Sequence, residues 1–180
     1  MPETPTHVAL LRGINVGGQN VIRMQDLTRA VEAMGFSAVR TYIQSGNVLL
    51  ATPETDRAAL TRRLERGLTE TFGYAARVVV RSRADLAATV AAMPPVFADA
   101  TWKHNVCFLT DALDDPGVVL RFPLKPELES VTYAPGVLFW SARIETLTRS
   151  TMLKLSARRE YQEMTVRNPN TTRKLLALFG

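Results

Sequence analysis

Arg40–Leu50 reads RTYIQSGNVLL. Two runs rich in β-branched, aromatic and aliphatic residues flank Ser45-Gly46, a turn signal. The pattern predicts a strand over VRTYIQ, a tight reversal, and a second strand over VLLAT. Working outward, MQDLTRAVEAMGF precedes this hairpin and places Met24, Leu27, Val31 and Met34 at helical spacing, with Gly35 as a stop. Before it, HVALL at His7–Leu11 reads as a buried strand. On the other side, TDRAALTRRLERGLTETFG carries a stripe of Leu60, Leu64, Leu68 and Phe72, with Thr55 or Asp56 as cap and Gly73 as terminator. ARVVVRS is a further strand. SRADLAATVAAMPP is a helix opened by Ser82 with Asp85 three residues on. The order β-α-β-β-α-β is that of a split β-α-β, ferredoxin-like unit, and it makes the chain an α+β protein.

The second half repeats the scheme more faintly. HNVCFL echoes HVALL, and YAPGVLF echoes YIQSGNVLL. NVCFL reads as a strand, DDPGVVLRF as a short helix, and SVTY with VLFWSA as a hairpin across Ala134-Pro135-Gly136. RSTMLKLSARREYQEM reads as one long helix, and NTTRKLLALF as a last short one capped by Asn170 or Thr171. The expected organisation is a ferredoxin-like unit over residues 1–96 and a second, related α+β unit over 97–180, joined near Pro94–Thr101 and closely packed.

Three polar motifs interrupt these elements: RGINVGGQN (Arg12–Asn20), QSGN (Gln44–Asn47) and RNPNT (Arg167–Thr171). In a split β-α-β unit the third strand returns beside the first, so the exit of the first strand and the hairpin before the third meet at one end of the sheet. Arg12–Gly18 and Gln44–Asn47 are therefore expected to converge. The motifs supply donors and amides and contain no carboxylate. Glycines admit close backbone approach and anion nests, Arg forks onto phosphate or carboxylate, and Asn and Gln serve either hydrogen-bond polarity. The candidate ligand-binding residues are Arg12, Gly13, Asn15, Gly17, Gly18, Gln44, Ser45, Asn47, Arg167, Asn168, Asn170, Thr171 and Lys174.

Other chemistry is poorly supplied. General acid–base work needs His or a carboxylate at the reacting proton, and the two histidines, His7 and His104, each stand before a strand and read as structural. No G-x-x-x-x-G-K-[ST] or G-x-G-x-x-G run occurs, so no cofactor is implied, and no Cys/His cluster has metal-ligand spacing. No catalytic residue is identifiable. Arg57, Arg62, Arg63 and Arg66 read as a solvated helix face.

The 180 residues hold 22 Lys and Arg against 17 Asp and Glu, a net charge of +5 that permits an anionic partner without demanding one. The single cysteine, Cys107, excludes an internal disulfide and fits a reducing compartment. MPETPT has neither the basic nor the apolar region of a signal peptide, and no apolar run reaches the roughly 18 residues of a membrane span. A cytoplasmic protein without membrane association is the expectation.

VALLRGINVGG, RTYIQSGNVLL and TVRNPNTTRKLLAL together resemble the bacterial family known as domain of unknown function 1697, along nearly the whole chain. The resemblance implies ferredoxin-like α+β elements and places the twelve candidates other than Lys174, together with Gly46, in family motifs; it brings no activity with it. Pro169 stands where the family often has Trp. The first expectation is thus a binding protein for an anionic ligand such as a nucleotide or nucleic acid. An enzyme acting on a phosphorylated small molecule, and a structural protein whose loops tie the two units together, are the alternatives.

Overall fold

A computed structural model describes residues 3–180. The chain forms two compact units, one of residues up to Ala87 together with Lys174–Gly180, the other of Ala88–Arg173.

In the first unit β1 (His7–Leu11), β2 (Ser37–Tyr42), β3 (Asn47–Ala51) and β4 (Val78–Ser82) form an antiparallel sheet in the order β2-β3-β1-β4. β1 lies between β3 and β4, with Val8 opposite Leu49 and Arg81. Helices α1 (Met24–Ala33) and α2 (Arg57–Phe72) supply the crossovers. Alternate strand residues Ala9, Leu11, Val48, Leu50, Val78 and Val80 meet Leu27 and Val31 of α1 and Leu60, Leu64 and Leu68 of α2. The period of two on the strands and near 3.6 on the helices builds this core. Asp56 caps α2 by accepting from the N–H groups of Ala58 and Ala59 at 2.9 and 3.1 Å. Gly73 ends it at φ 70°, a left-handed turn glycine adopts without strain. Arg63, expected on a solvated face, instead lies 4.3 Å over the Phe36 ring and donates to the carbonyl of Met34 at the end of α1. Helix α3 (Arg83–Ala91) opens with a reciprocal capping box, in which Asp85 N–H donates to Ser82 Oγ and Ser82 N–H to Asp85 Oδ2. The boundary between the units falls within this helix.

The second unit repeats the strand order: β6 (Glu129–Ala134), β7 (Val137–Arg143), β5 (Trp102–Leu109) and β8 (Met164–Arg167) lie as β6-β7-β5-β8, all antiparallel. Its crossovers differ from expectation. The short helix near Pro116 is a 3-10 helix, Pro116–Arg121. The long helix expected over Arg149–Met164 does not exist. One 3-10 helix, Ile144–Arg149, ends where that segment starts, two more, Met152–Ala157 and Arg159–Glu163, run through it, and β8 begins at Met164.

Polar bonds from outside the segment account for the break. Ser150 Oγ donates to Leu147 O, Thr151 Oγ1 to Pro123 O, and Lys125 Nζ to Arg149 O. The buried Glu129 carboxylate accepts from the N–H groups of Thr151 and Met152 at 2.9 and 3.1 Å and from Trp140 Nε1 at 2.9 Å. Ser and Thr side chains compete with helical backbone bonding, and here tertiary partners complete the competition. Helix α4 (Pro169–Ala177) is capped two or three positions earlier than expected, because Asn168 Oδ1 accepts from Thr171 N–H at 2.7 Å. Pro169 then occupies the first helical position, where its missing N–H costs nothing.

Candidate ligand-binding site

β1 ends at Leu11, whose N–H donates to Gly46 O at 2.8 Å. Arg12–Gly18 and Gln44–Asn47 thus meet at one end of the first sheet, as the crossover geometry requires. Beyond β1 the chain folds into a small hairpin. Asn15 N–H donates to Asn20 O, Gln19 N–H to Val16 O, and Gly17 and Gly18 turn the tip at φ 56° and 75°. Two successive positive φ values define a type I′ turn, which glycine alone adopts freely.

The amides in these loops bind the loops to each other. Asn15 Nδ2 donates to Gln44 O at 2.9 Å and to Ile22 O at 3.0 Å, while its Oδ1 accepts from Ile22 N–H at 2.8 Å. Asn20 Nδ2 reaches Gly13 O at 2.9 Å. Asn47 is fully buried, and its Nδ2 donates to Tyr42 O and Ser45 Oγ. Asn15 and Asn20 hold φ 53° and 46°, the left-handed region that Asn tolerates better than most residues. Ile43 holds φ 52°, a costly conformation for a β-branched side chain, in the hairpin that Asn15 grips. Gly46 is enclosed: a Cβ there would lie 2.6 Å from Ile14 Cδ1 and 2.8 Å from Leu11 Cβ.

What faces outward is different. Gly13, Gly17, Gly18, Gln19 and Gln44 are exposed, as are Val16 and Val21. The N–H groups of Gly17 and Gly18 make no hydrogen bond among the described residues. Arg12 is half-buried, and its N–H donates to the carbonyl of the exposed Arg77 at 2.9 Å. Exposed Arg23 precedes α1 directly after the clamped Ile22. Arg23 and Arg77 were not among the sequence candidates. Arg77 was legible in the topology, because β4 runs antiparallel to β1 and so starts where β1 ends.

The third motif belongs to the other unit, with Lys174 counted in the first. Arg167 is buried, and its guanidinium donates to Thr165 Oγ1 and Val166 O. Burial depresses its pKa to about 10, opposed by the nearby Tyr161. Asn168 caps α4, Thr171 is buried in its first turn, and Asn170 and Lys174 are exposed.

The remaining reactive side chains are engaged in structure. Burial pushes the Cys107 thiol up to about 12, which removes its nucleophilic form. His104 bonds Ser141 Oγ and Asp99 O through its two nitrogens and lies 4.6 Å from the Phe97 ring. His7 is lowered by burial, against the opposing charge of Asp85, and its Nδ1 bonds Thr6 Oγ1. Among the described residues no three His, Cys, Asp or Glu side chains cluster to hold a metal ion, and no helix is long and apolar enough to cross a membrane.

The fold matches the solved structure of the conserved bacterial protein SP0830 from Streptococcus pneumoniae, with a TM-score of 0.86 and 24% identity over 99% of this chain and 100% of that one. No curated protein matches the chain. Residues 4–139, which hold both of the converging loops, match a family described as "Protein of unknown function (DUF1697)", and the chain belongs to that family.

Proposed function

We propose that the protein binds nucleic acid at the loop end of its first unit. The observation that carries this reading is the division of labour within the loops. Asn15, Asn20 and Asn47 hold the backbone, while a Gly17-Gly18 tip, whose two N–H groups are unbonded among the described residues, stands exposed in the loop that runs from Arg12 to Arg23, and the exposed Arg77 lies beside Arg12. Unbonded N–H groups and guanidiniums are phosphate ligands. An exposed tip suits a long polyanion that lies across it better than a free nucleotide, which gains most from enclosure. Exposed Gln19 and Gln44 can meet sugar or base edges. The positive net charge supports the same partner.

Filter binding of single- and double-stranded DNA and RNA at about 50 mM and about 200 mM salt tests it. Retention at the lower salt should fall steeply at the higher. Arg23→Ala and Arg77→Ala should each weaken binding across all sequences and reduce the salt slope by about 1. No retention at the lower salt refutes the proposal.

A further inference from the structure

We propose a second ligand site, in the unit of residues 88–173, for a small monocarboxylate with a ring or branched aliphatic body. The covering 3-10 helices leave a cavity of about 150 Å³ against the sheet, at the first half of β5. Leu147, Met152, Leu155 and Val166 form its apolar wall. Lys103, Asn105 and Ser156 also line it, and none of these three side chains has a hydrogen bond or ion pair among the described residues. A cation, an amide and a hydroxyl without partners among the described residues converge on one cavity, whereas the buried Glu129 and the His104 ring in the same unit are bonded.

The lining selects the ligand class. It includes one cation and no acid, so it favours a single negative charge. Lys offers a compact point charge, and an adjacent amide N–H₂ gives the second carboxylate oxygen a donor. Apart from the Tyr161 phenol, the rest of the lining is apolar, and the space suits a body about the size of a benzene ring. A phosphate ester with its sugar and base would not fit. This site is thus independent of the nucleic-acid reading, and failure of either leaves the other standing. Leu153, half exposed at the rim, stands where such a body would enter.

Titrating the full-length protein with benzoate, followed by amide chemical shifts in two-dimensional NMR, tests the proposal. Saturable shifts should centre on residues 103–105 and 152–156. Benzamide, which keeps the ring and loses the charge, should bind about tenfold more weakly. Lys103→Met removes an exposed head group, so the fold should persist; it should cost benzoate about tenfold in affinity and leave benzamide unchanged, and Lys103→Arg should restore most of the loss. Absence of saturable shifts, shifts centred elsewhere, or equal benzoate affinity in Lys103→Met would each overturn it.

Discussion

The sheet β2-β3-β1-β4 is covered by α-helices of 10 and 16 residues, whereas β6-β7-β5-β8, with the same strand order, is covered by 3-10 helices of five or six. In the first unit the cover is specified locally. Asp56 starts α2, Gly73 ends it, and Leu60, Leu64 and Leu68 recur at helical spacing between them. In the second, the cover hangs on a distant side chain. Glu129, on β6, receives backbone N–H groups from Thr151 and Met152 and from Lys125. One strand topology therefore tolerates two kinds of cover, because the sheet demands only an apolar layer. The irregular cover leaves the cavity beside Lys103 and Asn105.

Removing the distant anchor should have the largest effect. Glu129→Ala leaves the Trp140 indole and the Thr151 and Met152 N–H groups buried without an acceptor, and should cost roughly 3–5 kcal/mol in urea unfolding. A loss below about 1 kcal/mol would show that the 3-10 cover is held by other means. The same residue predicts a pH dependence. Burial raises the Glu129 carboxyl, but the N–H groups of Thr151 and Lys125 and the Trp140 indole outweigh it and hold the pKa below the ordinary glutamate value. A carboxyl depressed in the folded state contributes fully above its unfolded pKa, and that contribution is lost as pH falls through the folded value. Acid titration of the unfolding midpoint should show this loss, and Glu129→Gln should flatten it.

Gly46→Ala probes the join between the two loops of the first unit. The new Cβ meets Ile14 and Leu11 at a backbone angle of +81°, so a loss of about 1–3 kcal/mol is expected. Amide exchange should quicken at Leu11 and Asn15, whose N–H groups are protected there. A stable variant with unchanged exchange would mean that the loops do not depend on this contact.

The smallest effect tests local specification of α2. Asp56→Ala removes the acceptor for Ala58 and Ala59 and should cost about 1 kcal/mol. Thermal unfolding would register it as a shift of a few degrees. A loss comparable to that of Glu129→Ala would erase the contrast between a locally specified cover and a remotely anchored one.

The sequence by itself determined the six-element β-α-β-β-α-β skeleton of the first unit, the α3 capping box at Ser82 and Asp85, and the meeting of Arg12–Gly18 with Gln44–Asn47. Each depends on short-range periodicity, caps and turn residues, or on the handedness of one crossover, all of which are written within a few residues of where they act. It also marked the loop asparagines without distinguishing an amide that faces a ligand from one that holds a carbonyl, since both need the same side chain. Tertiary structure alone decided that difference through the bonds of Asn15 to Gln44 and Ile22. It alone broke Arg149–Met164 into 3-10 turns: the residues repeat at helical spacing, but the acceptor that captures their N–H groups is Glu129, some twenty residues away in sequence and adjacent only once β6 and β7 have paired.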